Sequence, residues 1–94
     1  MAEKPIRFSE YARVKFDVLA SHGMPLDQAL IEAIVRSPTK TDRGYAGRTI
    51  AQGDLDRSRV LRVVYEDERN EIVIVTFYPG RRERYDKDQI QQGG

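Results

Sequence analysis

An α+β domain, with two N-terminal helices packed on an antiparallel sheet, is what this chain predicts. Three observations lead there. Two adjoining segments set β-branched and aromatic residues in two alternating rows as strands do, two earlier segments carry apolar residues at helical spacing, and a four-residue polar break joins the two strands as a hairpin. The predicted order is β-α-α-β-β-β.

Each element has its own warrant. Ile6 and Phe8 alternate with Pro5 and Arg7, which predicts a short first strand ending at Ser9, itself a good helix N-cap. Over 10–21, Ala12, Phe16 and Leu19 follow helical spacing, and Tyr11, Val14 and Val18 form a second stripe. Gly23 ends that helix. A second helix is predicted over 26–36, with Leu26, Ala29, Leu30, Ala33 and Ile34 on one face, Pro25 near its first turn and Ser37-Pro38 as its stop. The polar stretch 39–47, with Gly44 and Gly47, reads as a loop before a strand at 48–52. A turn is expected over 53–57.

The hairpin follows. In 59–66, Leu61, Val63 and Tyr65 alternate with Val60, Arg62 and Val64; in 71–78, Val73, Val75 and Phe77 alternate with Ile72, Ile74 and Thr76. Asp67-Glu68-Arg69-Asn70 joins the two strands. Pro79-Gly80 is expected to break the last strand and release Arg81, Arg82 and Arg84, closed by Tyr85, at the sheet margin. Residues 1–85 read as one domain and 86–94 as a polar tail.

Composition narrows the function. The chain has 94 residues, no cysteine, one histidine and a net charge of +1. Disulfides and thiolate metal sites are excluded, a protein-only zinc site is disfavoured, and any attraction to nucleic acid must come from a local patch. No apolar run is long enough to cross a membrane and the N-terminus lacks an export signal, so a cytoplasmic protein is expected. Twelve of the sixteen basic residues are arginine, which favours planar forks for phosphate over point charges. Gly44-Tyr45-Ala46-Gly47-Arg48 lacks the strand-to-helix setting and lysine-hydroxyl pair of a nucleotide loop, and its glycines are read as a turn or bulge. The acidic run Glu66-Asp67-Glu68, with Glu71, reads as a solvated turn, and no metal or other cofactor is expected.

Phe8-Ser9-Glu10-Tyr11-Ala12, His22-Gly23-Met24, Gly44 to Arg48, Val60 to Tyr65 and Thr76 to Tyr85 together resemble a family of small prokaryotic domains of unknown function in the RelE/ParE-like toxin superfamily. The likeness spans about residues 6 to 85. It implies a cytoplasmic toxin of a toxin-antitoxin system, a small antitoxin protein as partner, and RNA or the ribosome as target. Such ribonucleases cleave messenger RNA with basic and aromatic side chains. Carried onto this chain, that chemistry assigns catalytic roles to Arg48, Arg62, Arg82, Arg84 and Tyr85, and binding roles to Tyr11, Lys15, Tyr78 and Arg81. Arginine would stabilise charge building on phosphorus while an aromatic ring holds a splayed base. Members often carry His-Ala early in the first helix where this chain has Tyr11-Ala12, so a histidine base is missing there.

Alternatives stand beside each assignment. Tyr11 and Lys15 share one side of the first helix with His22 and could face the basic strip; equally, Tyr11 is a packing residue, Lys15 is solvated and His22 serves the helix C-terminus. At the level of the whole protein, an RNA-cleaving toxin competes with a non-catalytic nucleic-acid or protein binding module on the same scaffold. A third reading is an interaction domain whose sheet edge pairs with a second copy as a homodimer.

Overall fold

The structure is a computed structural model and describes residues 3–85. The expected tail at 86–94 lies outside the described residues. The elements are β1 (Ile6–Phe8), α1 (Glu10–Ser21), α2 (Gln28–Arg36), β2 (Lys40–Arg43), β3 (Thr49–Asp54), β4 (Arg59–Asp67), β5 (Ile72–Arg81) and α3 (Arg82–Tyr85), with one 3-10 turn, Tyr45–Gly47, between β2 and β3. The fold is α+β, as the periodicity predicts.

The predicted order needs three corrections. The stretch 39–47 contains a strand, β2, which pairs antiparallel with β3. Its sequence Lys-Thr-Asp-Arg has no apolar alternation because β2 is the edge of the sheet, where backbone pairing alone makes the strand and charged side chains deter further pairing. The sheet is mixed: its order is β1-β5-β4-β3-β2, and β1 runs parallel to β5. Finally, α3 follows the last strand, so the helices are not all N-terminal.

Local caps set the helix starts. Ser9 Oγ accepts from the Ala12 amide at 3.1 Å, and Asp27 Oδ1 accepts from the Leu30 amide at 2.9 Å, which begins α2 at Gln28 and leaves Pro25 and Leu26 ahead of it. Both helices cover one sheet face. Ala12 of α1 and Ile31, Ile34 and Val35 of α2 bury themselves against Phe8, Ala51, Leu61, Val63, Ile74 and Phe77. Phe16 links Phe8 and Phe77 through ring contacts of 5.6 and 4.8 Å. Gly53 lets α2 approach closely, since a Cβ there would stand 2.6 Å from Ile34 Cγ1.

Strict alternation fails in β5. Val64 opposes Thr76 but Tyr65 opposes Ile74, so Val75 is an extra residue, a β-bulge. Ile74 and Phe77, of opposite parity, are therefore both fully buried in the helix-covered core. Ser9 pins this bulge: its hydroxyl donates to the Val75 carbonyl at 3.1 Å and its amide to the Ile74 carbonyl at 3.0 Å. Nor does Pro79-Gly80 break the strand, which continues to Arg81. β1 flanks β5 only at Ile72–Ile74, so at Pro79 the outer side of β5 has no neighbouring strand that needs its missing N–H.

Candidate nucleic-acid interface

Alternation in β3 and β4 sends Gln52 and Arg62 to the sheet face away from α1 and α2. They oppose each other across the two strands, and are the buried polar residues among those described. Arg62 is 5% exposed, and each of its three nitrogens is engaged. Nε donates to the Tyr78 hydroxyl at 3.2 Å, one terminal nitrogen donates to Gln52 Oε1 at 2.6 Å, and the other lies 3.0 Å from Asp42 Oδ2. Burial pulls the Arg62 pKa down, but the hydrogen bonds to Tyr78 and Asp42 outweigh it, and the net direction is upward. The guanidinium is a fixed charge.

Tyr85 covers it. After β5 the short α3 brings the Tyr85 ring over Arg62, 4.2 Å from guanidinium carbon to ring centroid, a cation–π contact. Gly80 makes room: a Cβ on that residue would stand 2.3 Å from Tyr85 Cε2. Lys40 Nζ donates to the Tyr85 carbonyl at 2.6 Å, tying α3 to the edge strand β2, and Arg84 lies over the same ring at 5.9 Å.

Arg82 is drawn into the turn between β3 and β4. It pairs with Asp54 at 2.8 Å and donates to the carbonyls of Arg57 at 3.1 Å and Asp56 at 2.7 Å, while its amide donates to Ser58 O at 2.8 Å. Within that turn Asp56 accepts from the amides of Ser58 and Arg59 and holds the Arg59 fork at 2.9 and 2.7 Å. The hydrogen bond from Arg59, helped by the backbone amides, keeps the Asp56 carboxyl below its ordinary pKa.

Around these paired groups stands a set of exposed arginines. Arg81 opposes Arg59 directly across β5 and β4, a like-charge juxtaposition that costs stability unless an anion lies near both. Asp56 compensates Arg59, and Arg81 projects into solvent. With Arg57 in the turn and Arg84 on α3, Arg81 has no ion-pair partner among the described residues. One end of the sheet is thus ringed by arginine.

The sequence-predicted residues fall into three groups. Arg62, Tyr78 and Tyr85 come together in one cluster, with Arg81, Arg82 and Arg84 at the adjoining end of β5 and in α3. Arg48 lies outside this cluster, in the β2–β3 connection just before β3, with its Nε 3.0 Å from Glu66 Oε2. Tyr11 and Lys15 lie on α1, in the layer on the other side of the sheet from Arg62 and apart from the basic strip; Tyr11 is exposed, as are Val14 and Val18 beside it. His22 Nδ1 donates to the Val18 carbonyl at 2.8 Å, a helix-end role. Sequence reasoning missed Gln52, Asp42, Arg57 and the part played by Gly80. None of them left a signal in the sequence: Gln52 sits in the mixed strand Thr-Ile-Ala-Gln-Gly-Asp, and its burial is set by Arg62 opposite it.

Two other features carry no site. The 44–48 loop turns β2 into β3 with Ala46 at φ 60° and Gly47 at φ 78°, and beside it lies a shallow cleft of about 430 Å³ lined by Thr41, Asp42, Arg43, Gly47, Arg48 and Thr49. The acidic hairpin is neutralised in pieces, Asp67 by Lys4, Glu66 by Arg48 and Glu71 by a two-pronged Arg7 contact at 3.1 Å. Among the described residues no group of three or more acidic, histidine or cysteine side chains could hold a metal, and no helix is long and apolar enough to cross a membrane.

Against known proteins, the scan of family models, the search of curated proteins and the search of solved structures each find no match.

Proposed function

We propose that this chain is a toxin-like, RNA-directed protein of RelE/ParE-like kind, and that its act on RNA is binding rather than cleavage. The observation that carries the reading is the arginine end of the sheet, where Arg81 faces Arg59 and stands with Arg57 and Arg84 beside the Arg62–Tyr85 cation–π pair. Cationic forks next to an aromatic ring match a phosphodiester strand with splayed bases. The two helices between β1 and the antiparallel strands, on one sheet face, agree with the arrangement the resemblance implies.

Binding is preferred because two of the residues assigned to catalysis are committed elsewhere. Arg62 is enclosed by Asp42, Gln52, Tyr78 and Tyr85, and Arg82 holds a turn. A small antitoxin would be the protein partner in this setting, and cover of the arginine end its mode of neutralisation.

The test is titration of short single-stranded RNA with the protein, followed on a denaturing gel. Three phosphate contacts, from Arg57, Arg81 and Arg84, predict that affinity falls roughly an order of magnitude between about 50 and 200 mM salt, with the strand left intact. Replacing Arg81 and Arg84 by alanine should weaken binding and flatten the salt dependence. Salt-independent binding, or none, would remove the reading; a cut strand would restore the nuclease.

A further inference from the structure

Tyr85 sits in a seat built for a flat ring. Its floor is the backbone of Gly80, where any β-carbon would collide with the ring, and its face is the Arg62 guanidinium 4.2 Å from the ring centroid. That guanidinium cannot swivel, because Tyr78, Gln52 and Asp42 each hold one of its nitrogens. The plane therefore keeps its orientation whether or not a ring lies on it. The ring that fills the seat rides on a four-residue helix, tied down by one hydrogen bond from Lys40 and by the Arg82 contacts to the β3–β4 turn.

We propose that this seat is a nucleobase site, and that Tyr85 is its built-in occupant, displaced when a single-stranded RNA binds. The proposal rests on the RNA reading above and adds where a base goes. A guanidinium plane stacks on a nucleobase as it does on a phenol ring, with no sequence requirement since every base has a π-face. Arg81 and Arg84 adjoin the seat in the chain, placed to hold the phosphates on either side of the seated base. A tethered side chain competes at millimolar effective concentration, so a free nucleotide should be excluded while a strand anchored by several phosphates displaces the tyrosine.

The experiment is fluorescence anisotropy with a labelled oligoadenylate heptamer and an abasic strand of the same length, on the whole chain and two variants. Tyr85→Ala removes the competitor and should tighten oligoadenylate binding roughly three- to thirty-fold, the range a cation–π contact covers. The gain should vanish on the abasic strand. Gly80→Ala, which puts a methyl into the seat, should lower oligoadenylate affinity to that of the abasic strand. In the wild-type chain, RNA should release the Tyr85 ring, seen as a shift of its ring proton resonances toward free-tyrosine positions, a readout that needs no variant to fold. If wild type binds RNA while Tyr85→Ala binds no tighter, if the gain persists on the abasic strand, or if the Tyr85 resonances stay in place, the seat is not a base site and the RNA reading survives. If neither protein binds either strand at low salt, both fall together.

Discussion

Arg62 is the residue on which the far sheet face is organised. Burying a guanidinium is costly unless every donor finds a partner, and here an edge-strand carboxylate, a neighbouring amide and a phenol supply them. Arg62→Ala should cost about 2–4 kcal/mol in urea unfolding, since the partners lose their shared donor. Arg62→Lys should recover only part of it, because a point charge cannot meet three partners in a plane. On the other face the close approach at Gly53 sets a second limit. Gly53→Ala should lower stability by about 1–3 kcal/mol through overpacking against Ile34, measured by the same unfolding midpoint.

Among elements, the β3–β4 turn and the start of α1 depend on contacts made far along the chain. Arg82 closes the turn from the end of β5, in partly exposed surroundings that weaken its ion pair but leave its bonds to backbone carbonyls. Arg82→Ala should cost about 1–2 kcal/mol and speed amide exchange at Ser58 and Arg59, an effect on the turn and not on a reaction. Ser9 both caps α1 and holds the Val75 bulge. Ser9→Ala should therefore cost about 1–2 kcal/mol, more than the cap at Asp27, whose carboxylate makes no second bond among those described.

For the molecule as a whole, acid should loosen what its exposed ion pairs hold. Hydrogen bonding from Arg7 and Arg59 keeps the carboxyls of Glu71 and Asp56 below their ordinary pKa values. A depressed folded-state pKa means stability that is present above the unfolded value and lost as pH falls through the folded one. The urea midpoint should thus be flat from neutrality to about pH 5 and decline below about pH 4, with Glu71→Gln removing part of the decline. Added salt should shrink this effect, because both pairs face water.

The sequence by itself determined the α+β class, both long helices and the β4–β5 hairpin, because apolar periodicity reports which side of an element is buried. It also singled out Arg62, a charge inside an apolar row, and the arginine-rich end of β5. Tertiary structure alone decided the rest. β2 carries no periodic signal since an edge strand is held by backbone pairing, and the bulge at Val75 exists because Ile74 and Phe77 must both reach one core. The fates of the arginines depend on partners distant in sequence: Arg62 on Asp42 and Gln52, Arg82 on Asp54, and the stacking of Tyr85 on a glycine that sequence reads as a break. A charge announces itself in one dimension, but its partner is chosen in three.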